Sequence, residues 1–184
     1  MNRTASLLCA AVALTATPAI AGHQHGAAGA ATGQAVHAEV IDAGGKNLGM
    51  VMLRDTPGGV LVTTDLKGLP PGERGFHFHE KGQCDPAQKF TTAGAHYSAG
   101  NPQHGLLTPG GHHGGDMPNA IVAADGTLKV EVLNTGVTLA PGAKSLFDAD
   151  GSALVIHAKA DDYKTQPSGD AGDRIACAVV ARPK

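Results

Sequence analysis

Histidine is unusually frequent in this chain, with 10 histidines against two tyrosines and no tryptophan among 184 residues. Imidazole is the commonest metal ligand in proteins, so this composition needs a chemical explanation. His77 and His79 stand two residues apart in the run 76–79, where phenylalanine and histidine alternate. Residues two apart on a strand leave from the same face, so both imidazoles can reach one ion.

A second group of candidate ligands combines three histidines with one carboxylate: His96, His104, His113 and Asp116. Such a set suits zinc in tetrahedral geometry. Three or four imidazoles without a thiolate suit copper in a tetragonal arrangement instead. His157 is a further candidate, because it ends the apolar run 154–156. Each signal is weak alone, since exposed strands and strand ends also carry histidine, but together they predict a metal centre.

The stretch from Cys84 to Pro118 holds the second group and shows little hydrophobic periodicity. Loops of this length inside a compact domain are usually functional or disordered. A bound metal ion can supply the order that a hydrophobic core does not. We therefore expect a long loop that folds around an ion.

The sequence predicts eight short strands as the scaffold that holds these side chains. They cover residues 36–41, 48–54, 60–66, 76–79, 120–124, 128–133, 153–158 and 174–181. Turn residues separate them, and Asp125 and Gly126 predict a hairpin between the fifth and sixth. Short strands with regular turn signals favour an all-β fold, an eight-stranded Greek-key β-sandwich or barrel with long metal-binding loops.

Composition narrows the class of protein further. A length of 184 residues suits one domain. Charged residues make up 16% of the chain, and the 26 glycines argue against a helical bundle or coiled coil. The formal net charge of -2 gives no reason to expect nucleic acid as a partner, because nucleic-acid binding requires a clustered basic surface.

The amino terminus is predicted to be a secretory signal peptide, residues 1–21. Arg3 precedes the apolar run 5–14, and small residues around Ala21 suit cleavage there. The run is too short to span a membrane, and Cys9 within it leaves lipid attachment as an alternative. We expect a flexible leader of histidine, glycine and alanine over residues 22–34, and the folded domain over residues 35–184.

Two cysteines remain after the predicted cleavage, Cys84 and Cys177. An even pair in an exported chain favours a disulfide, with two free buried thiols as the alternative. A bridge would close a loop of roughly ninety residues, which stabilises a fold by about 4 to 5 kcal/mol in the chain-entropy account.

Taken together, these motifs resemble those of the copper–zinc superoxide dismutases, in a bacterial exported form. The segments that carry the resemblance are 75–80 (GFHFHE), 93–97 (AGAHY), 104–105 (HG), 113–116 (HGGD), 154–162 (LVIHAKADD) and 172–177 (GDRIAC). They span about residues 36–180, nearly the whole predicted mature chain. The resemblance implies an immunoglobulin-like β-sandwich, in agreement with the predicted strands.

The resemblance also implies the ligand sets. The implied copper ligands are His77, His79, His96 and His157. The implied zinc ligands are His96, His104, His113 and Asp116, so that the imidazolate of His96 bridges copper and zinc. Every ligand position of the family is matched in this sequence.

Further roles follow from the same resemblance. Asp161 matches the carboxylate that links a copper histidine to a zinc histidine, a role that orients the rings. Arg174 matches the cation that docks the substrate beside copper. Cys84 and Cys177 match the family's disulfide.

The implied activity converts two superoxide anions and two protons into dioxygen and hydrogen peroxide, while copper alternates between Cu(II) and Cu(I). His96 would carry a proton on its copper-side nitrogen, and zinc would hold the ring in place. The alternative is a non-catalytic exported copper- and zinc-binding module of the same fold. A further hypothesis is a structural β-sandwich in which zinc only orders the long loop. This hypothesis explains fewer residues, because it gives no reason for His77, His79 and His157.

The sequence also supports predictions about the location of the protein, its partners and the other histidines. We expect a periplasmic protein without a membrane span, which acts on the small molecule superoxide; the sequence allows a homodimer and leaves monomer against dimer open. His112 is interpreted as a solvated neighbour of His113, and His37 is given no role. His23 and His25 in the leader are a hypothesis for Cu(II) capture, with a mobile polar leader as the alternative.

Overall fold

A computed structural model describes residues 35–101 and 103–182. The predicted signal peptide and leader, and with them His23 and His25, lie outside these described residues. Within them the chain forms nine strands: β1 Ala35–Asp42, β2 Asn47–Thr56, β3 Gly59–Leu66, β4 Gly72–Arg74, β5 Phe76–His79, β6 Ala120–Val122, β7 Glu131–Asn134, β8 Ser152–His157 and β9 Arg174–Val180. Two short 3₁₀ turns, Pro86–Gln88 and Thr91–Ala93, lie in the long loop after β5.

Seven strands form one antiparallel sheet in the order β5-β8-β9-β1-β2-β3-β7, and β4 pairs with β6 in a second, two-stranded sheet. The last strand therefore returns beside the first, and β7 pairs with β3 across a long connection. Crossed connections of this kind are typical of Greek-key folds. The all-β Greek-key prediction is confirmed.

Alternation of side chains explains how the strands enclose the core. In β1, Val36, Ala38 and Val40 are buried, whereas His37 and Glu39 are exposed, as the period of two requires. All four residues of β5 and all six of β8 are buried, because both faces of these strands are covered. The phenylalanines of β5 join the main core, so its histidines face the opposite side, where the long loops cover them.

The prediction of a hairpin around Asp125 and Gly126 is wrong in its pairing. The turn exists, since the Gly126 amide donates to the Ala123 carbonyl at 2.9 Å. The chain then leaves β6, because the fully buried Leu128 exchanges backbone hydrogen bonds with Leu66 at 2.9 and 3.1 Å. As a result β7 pairs with β3, and β6 pairs with β4, a short strand that the sequence analysis did not predict.

The predicted disulfide between Cys84 and Cys177 is present, and it ties the long loop to β9. Its sulfurs lie beside a small buried cluster formed by Phe90, Ala93, Ala153 and Val155. The described residues contain no helix that is long and apolar enough to cross a membrane.

Candidate metal centre

Strand pairing brings the first three histidines to one place. His77 and His79 lie on β5, which pairs with β8 so that His79 is opposite Ala153 and Phe76 is opposite Ile156. His157 ends β8 at an irregularity in its pairing with β9. The long loop then returns along β5, where the backbone of His96 bridges that of His79.

Four imidazoles converge at this point: His77, His79, His96 and His157. Each offers one ring nitrogen, and these four atoms lie within 4.8 Å of one another. The ring centroids of His77 and His96 are 4.1 Å apart, and those of His79 and His96 are 4.8 Å apart. All four residues are buried.

The second group also converges. Asp116 Oδ1 lies 3.1 Å from His96 Nδ1, 3.1 Å from His104 Nδ1 and 3.6 Å from His113 Nδ1. The other carboxylate oxygen, Oδ2, accepts from the Gly105 amide at 2.9 Å and the His113 amide at 3.2 Å. Three imidazoles thus surround one carboxylate, which the loop backbone holds in place.

Five buried ring nitrogens have no hydrogen-bond partner among the described residues: His77 Nδ1, His79 Nε2, His96 Nε2, His113 Nδ1 and His157 Nε2. An unpaired buried polar atom is costly, so each one needs an explanation. Four of these nitrogens belong to the first group, and the fifth belongs to the second. A metal ion in each group would satisfy all five, so the donor sets fit metals.

Hydrogen bonds on the far side of each ring decide which nitrogen faces the centre. The His79 Nδ1 atom contacts the Gly94 carbonyl at 3.0 Å, and His157 Nδ1 contacts the Gly172 carbonyl at 3.1 Å. A carbonyl only accepts, so Nδ1 carries the proton in both rings, and Nε2 keeps its lone pair for a metal.

Asp161 connects the two groups. Its Oδ2 lies 2.7 Å from His77 Nε2, and its Oδ1 lies 3.1 Å from His104 Nε2. The carboxylate therefore holds both rings with Nδ1 directed inward. Carboxylates in this position orient metal-bound histidines and raise their basicity.

Two residues that support Asp161 were missed by the sequence analysis. Asn119 donates to the Asp161 carbonyl at 2.9 Å and accepts from the Asp161 amide at 2.8 Å. Gly169, at φ +67°, packs so closely that a Cβ there would collide with the carboxylate of Asp161 and lie 2.7 Å from His104 Nε2. A side-chain amide and a loop glycine are common in sequences, so neither residue carried a distinctive signal.

Arg174 lies at the mouth of the first group. Its Nη1 donates to the Phe90 carbonyl and its Nη2 to the Gly94 carbonyl, both at 2.6 Å. With His79, His96 and His157 it lines a cavity of about 640 Å³. Burial lowers the pKa of Arg174, but a guanidinium remains charged at any physiological pH.

Burial lowers the pKa values of three histidines in the first group. Burial, helped by the positive potential of His77, lowers the pKa of His96 to about 4 and that of His157 to about 3. Burial, His96 and Arg174 also hold the pKa of His79 well below its usual range. These rings are neutral at pH 7, so their lone pairs are available to a metal.

The carboxylates of Asp116 and Asp161 have the opposite effect on His104, because they raise its pKa. Burial lowers its pKa, but hydrogen bonds to Asp116 and Asp161 outweigh burial and raise it to about 9. The same contacts overcome burial to lower the pKa of both carboxyl groups, so both are ionised.

These opposing shifts predict a stability maximum near pH 6.5 for the metal-free protein. Folded His96 and His157 bind protons only below pH 4 and 3, whereas unfolded histidine binds them near 6.5. The contribution of these two neutral rings to the free energy of unfolding is complete above pH 6.5. It is lost on acidification, by about 1.4 kcal/mol per pH unit for each group. The contribution of His104 is complete below pH 6.5 and is lost as the pH rises through about 9.

Urea unfolding of the metal-free protein between pH 4.5 and 9.5 measures this profile. Metal-loaded protein is the control, since bound metal replaces the protons on the ligand nitrogens. A stability that stays flat or rises between pH 6.5 and 5 would contradict the assigned shifts.

The other described histidines stay outside both groups. His112 Nδ1 lies 2.7 Å from the carbonyl of His113, and its ring is partly exposed. His37 is exposed on β1.

An all-β fold that encloses two adjoining four-ligand groups, with one imidazole in both, defines a class of dinuclear metalloproteins. The family model described as copper/zinc superoxide dismutase matches residues 48–180 of this chain. The chain belongs to the copper/zinc superoxide dismutase family.

Known relatives agree with this result. The Aquifex aeolicus protein named superoxide dismutase [Cu-Zn] 2 is 49% identical over 146 residues, 78% of this chain and 85% of the relative. A solved double mutant of a SOD-like protein from Bacillus subtilis is 39% identical with a TM-score of 0.76, covering 79% of this chain and 97% of that chain. The Cu/Zn superoxide dismutase from Brucella abortus is 29% identical with a TM-score of 0.65, covering 80% and 99%.

The resemblance expected from the sequence is therefore confirmed. The enzyme class and the copper and zinc cofactors are confirmed with it, since the histidine groups suit both metals. The assignment of individual residues to copper, zinc and catalysis remains a prediction.

Proposed function

We propose that this chain disproportionates superoxide to dioxygen and hydrogen peroxide at a copper and a zinc ion that share one imidazole. One observation carries the proposal. His96 directs Nδ1 toward Asp116 at 3.1 Å, while its buried Nε2 has no partner among the described residues and belongs to the first group. A single ring can thus serve two ions.

The ligand assignment follows from the donor atoms. We assign copper to the four imidazoles His77, His79, His96 and His157, because imidazole-only sets suit copper. We assign zinc to His96, His104, His113 and Asp116, because three imidazoles and a carboxylate suit tetrahedral zinc. When bound, copper supplies one-electron exchange, and zinc supplies fixed charge without redox chemistry.

Arg174 and the cavity select the substrate. The guanidinium is a permanent cation at the mouth of the copper-side group, and the carbonyls of Phe90 and Gly94 hold it in position. A small anion that enters the cavity is attracted to this charge, whereas a neutral molecule gains nothing from it. Superoxide is such an anion.

His96 supplies a proton. Its Nε2 faces the copper-side group without a protein partner among the described residues, so this nitrogen can take up one proton and release it to superoxide as that anion is reduced, and a second proton from solvent completes hydrogen peroxide. A zinc ion held by Asp116 would bind His96 Nδ1, which lies 3.1 Å from Asp116 Oδ1, and would keep the ring in place.

Replacing Arg174 with alanine is expected to slow superoxide consumption while both metals stay bound. Charged clefts raise association rates about 10- to 1,000-fold in general, so we expect a loss of at least about tenfold and a weaker dependence on salt. Pulse radiolysis at low and high ionic strength measures the rate, and elemental analysis measures the metals.

Arg174→Lys is the matched variant, since it keeps the charge but not both carbonyl hydrogen bonds. We expect an intermediate rate that still falls with salt. An unchanged rate in Arg174→Ala would remove the guiding role, and loss of copper would show that Arg174 acts by holding the loop around His96.

Export to the periplasm and the domain boundaries belong to the same proposal. The disulfide between Cys84 and Cys177 supports an oxidising compartment, and the apolar run before Ala21 supports secretion. We propose cleavage near Ala21, a leader over 22–34 and the enzyme domain over 35–184. Mass spectrometry of protein from the periplasmic fraction tests the cleavage, and sedimentation distinguishes monomer from homodimer.

The experiment that tests the function as a whole combines a superoxide assay with a metal count on the same sample. We expect one copper and one zinc per chain and rapid consumption of superoxide. A protein that binds both metals and consumes no superoxide would instead be the non-catalytic metal-binding module.

A further inference from the structure

One histidine and two methionines lie together on the outer face of β1 and β2, outside the copper–zinc centre. His37 is directly opposite Met52 in the antiparallel register, and Met50 is opposite Glu39, two residues further along β1. Val51 between the methionines is fully buried, so both methionines and His37 lie on the other side of the sheet, toward solvent.

Two neighbouring methionines are unusual in this position. The outward face of an antiparallel sheet is ordinarily polar, and methionine is among the residues most often buried. Met117, the other methionine after the predicted cleavage site, follows that rule at 1% exposure, whereas Met50 is 41% exposed. Core packing therefore does not explain Met50.

The register places the three side chains within reach of one point. Directly opposite residues in an antiparallel pair have Cβ atoms about 4.5–5.5 Å apart, and diagonal neighbours are about 7–8 Å apart. His37 and Met52 form the direct pair, and Met50 is the diagonal neighbour of His37. Methionine has a flexible unbranched side chain, so both sulfurs can turn toward the imidazole.

The chemistry of these donors selects a soft cation. Thioethers favour Cu(I), and imidazole suits copper in general. Glu39, opposite Met50, adds a negative charge on the same face; Asn47 Nδ2 donates to it at 2.5 Å. Asp65, opposite Met50 on β3, is 3.6 Å from Lys129, so the two charges offset each other.

We propose that His37, Met50 and Met52 form a binding site for monovalent copper on the outer face of the sheet. This site is separate from the copper–zinc centre. In the sheet, β8 and β9 lie between β5 and β1, a distance of about 14 Å at the usual strand spacing.

NMR with silver ion, a redox-inert substitute for Cu(I), tests the site directly. The probe is the copper- and zinc-loaded mature chain with ¹³C-labelled methionine methyl groups. One equivalent of Ag(I) should shift the methyl signals of Met50 and Met52 and leave that of Met117 in place. Unshifted signals of Met50 and Met52, or shifts only in large excess of silver, would overturn the proposal.

Binding measurements on variants identify the ligands. Equilibrium dialysis against Cu(I) buffered by a competing chelator should show one extra equivalent of copper per loaded chain. Met50→Leu with Met52→Leu should abolish it, and His37→Gln should weaken it by about tenfold or more. These substitutions should leave superoxide consumption unchanged, which also shows that the fold is intact.

Two controls separate this site from other histidines. His112→Gln, and the leader variant His23→Gln with His25→Gln, should both retain the extra equivalent. If the methionine variant keeps the extra equivalent of copper and the leader variant loses it, the extra copper binds in the leader, and the site on the sheet is refuted.

Discussion

Replacing His157 with alanine is expected to remove copper and nearly all superoxide consumption while zinc stays bound. His157 contributes one of the four nitrogens of the proposed copper site, and it is not a member of the group around Asp116. Loss of a residue that only orients a ligand typically costs 10- to 100-fold, so loss of a ligand should exceed about 100-fold. Elemental analysis after reconstitution and a superoxide assay measure both effects.

His112→Ala is the control, because it removes an imidazole that belongs to neither group and whose Nδ1 contacts only the backbone carbonyl of His113. It should keep both metals and full activity. Should His157→Ala lose copper but retain its activity, the catalytic assignment of the copper site would be wrong. Should it lose zinc to the same extent as copper, the two groups would not be separable as proposed.

Replacing Asp116 with alanine is expected to release zinc and to destabilise the long loop. Its carboxylate contacts His96, His104 and His113, and it accepts from two backbone amides of the loop. Hydrogen bonds to a charged group contribute about 1.5–3 kcal/mol each, so we expect a loss of about 3 kcal/mol or more. Zinc affinity should fall more than about 100-fold.

Competition against a zinc chelator and thermal unfolding measure these losses. Asp65→Ala is the control, because its carboxylate forms only an exposed ion pair with Lys129, which contributes little. Asp116→Asn keeps the size of the side chain, removes its charge and replaces one acceptor oxygen with an NH2 donor. Zinc affinity that is unchanged in both Asp116 variants would refute the assignment, and complete unfolding of both would show that this carboxylate is required for the fold itself.

The features that depend on local spacing were the ones most accurately predicted from the sequence. The alternation in 76–79 predicted that His77 and His79 share a face, and in the structure their nitrogens meet in one group. Side-chain direction on a strand follows from a period of two, so no distant residue is needed to infer it. The hairpin failed for the opposite reason, because the partner of Leu128 is Leu66, far along the chain.

The chemistry of the loop was also predictable, but its geometry was not. The number and type of donors between His96 and Asp116 indicated a metal-binding loop. Nothing local indicates that His96 lies beside His79 or that Gly169 packs against Asp161. Those contacts depend on two loops closing onto one end of the sheet.

The kinds of ligands that this protein offers can be read from its residues alone, because donor chemistry belongs to each residue type and the strand period belongs to a short segment. Which nitrogen of each ring faces the centre is set by the folded chain. That choice depends on hydrogen bonds such as the one from His77 to Asp161, 84 residues away in the chain. Burial by the surrounding loops lowers the pKa values of His79, His96 and His157 and keeps these rings neutral, and this too is a property of the folded molecule.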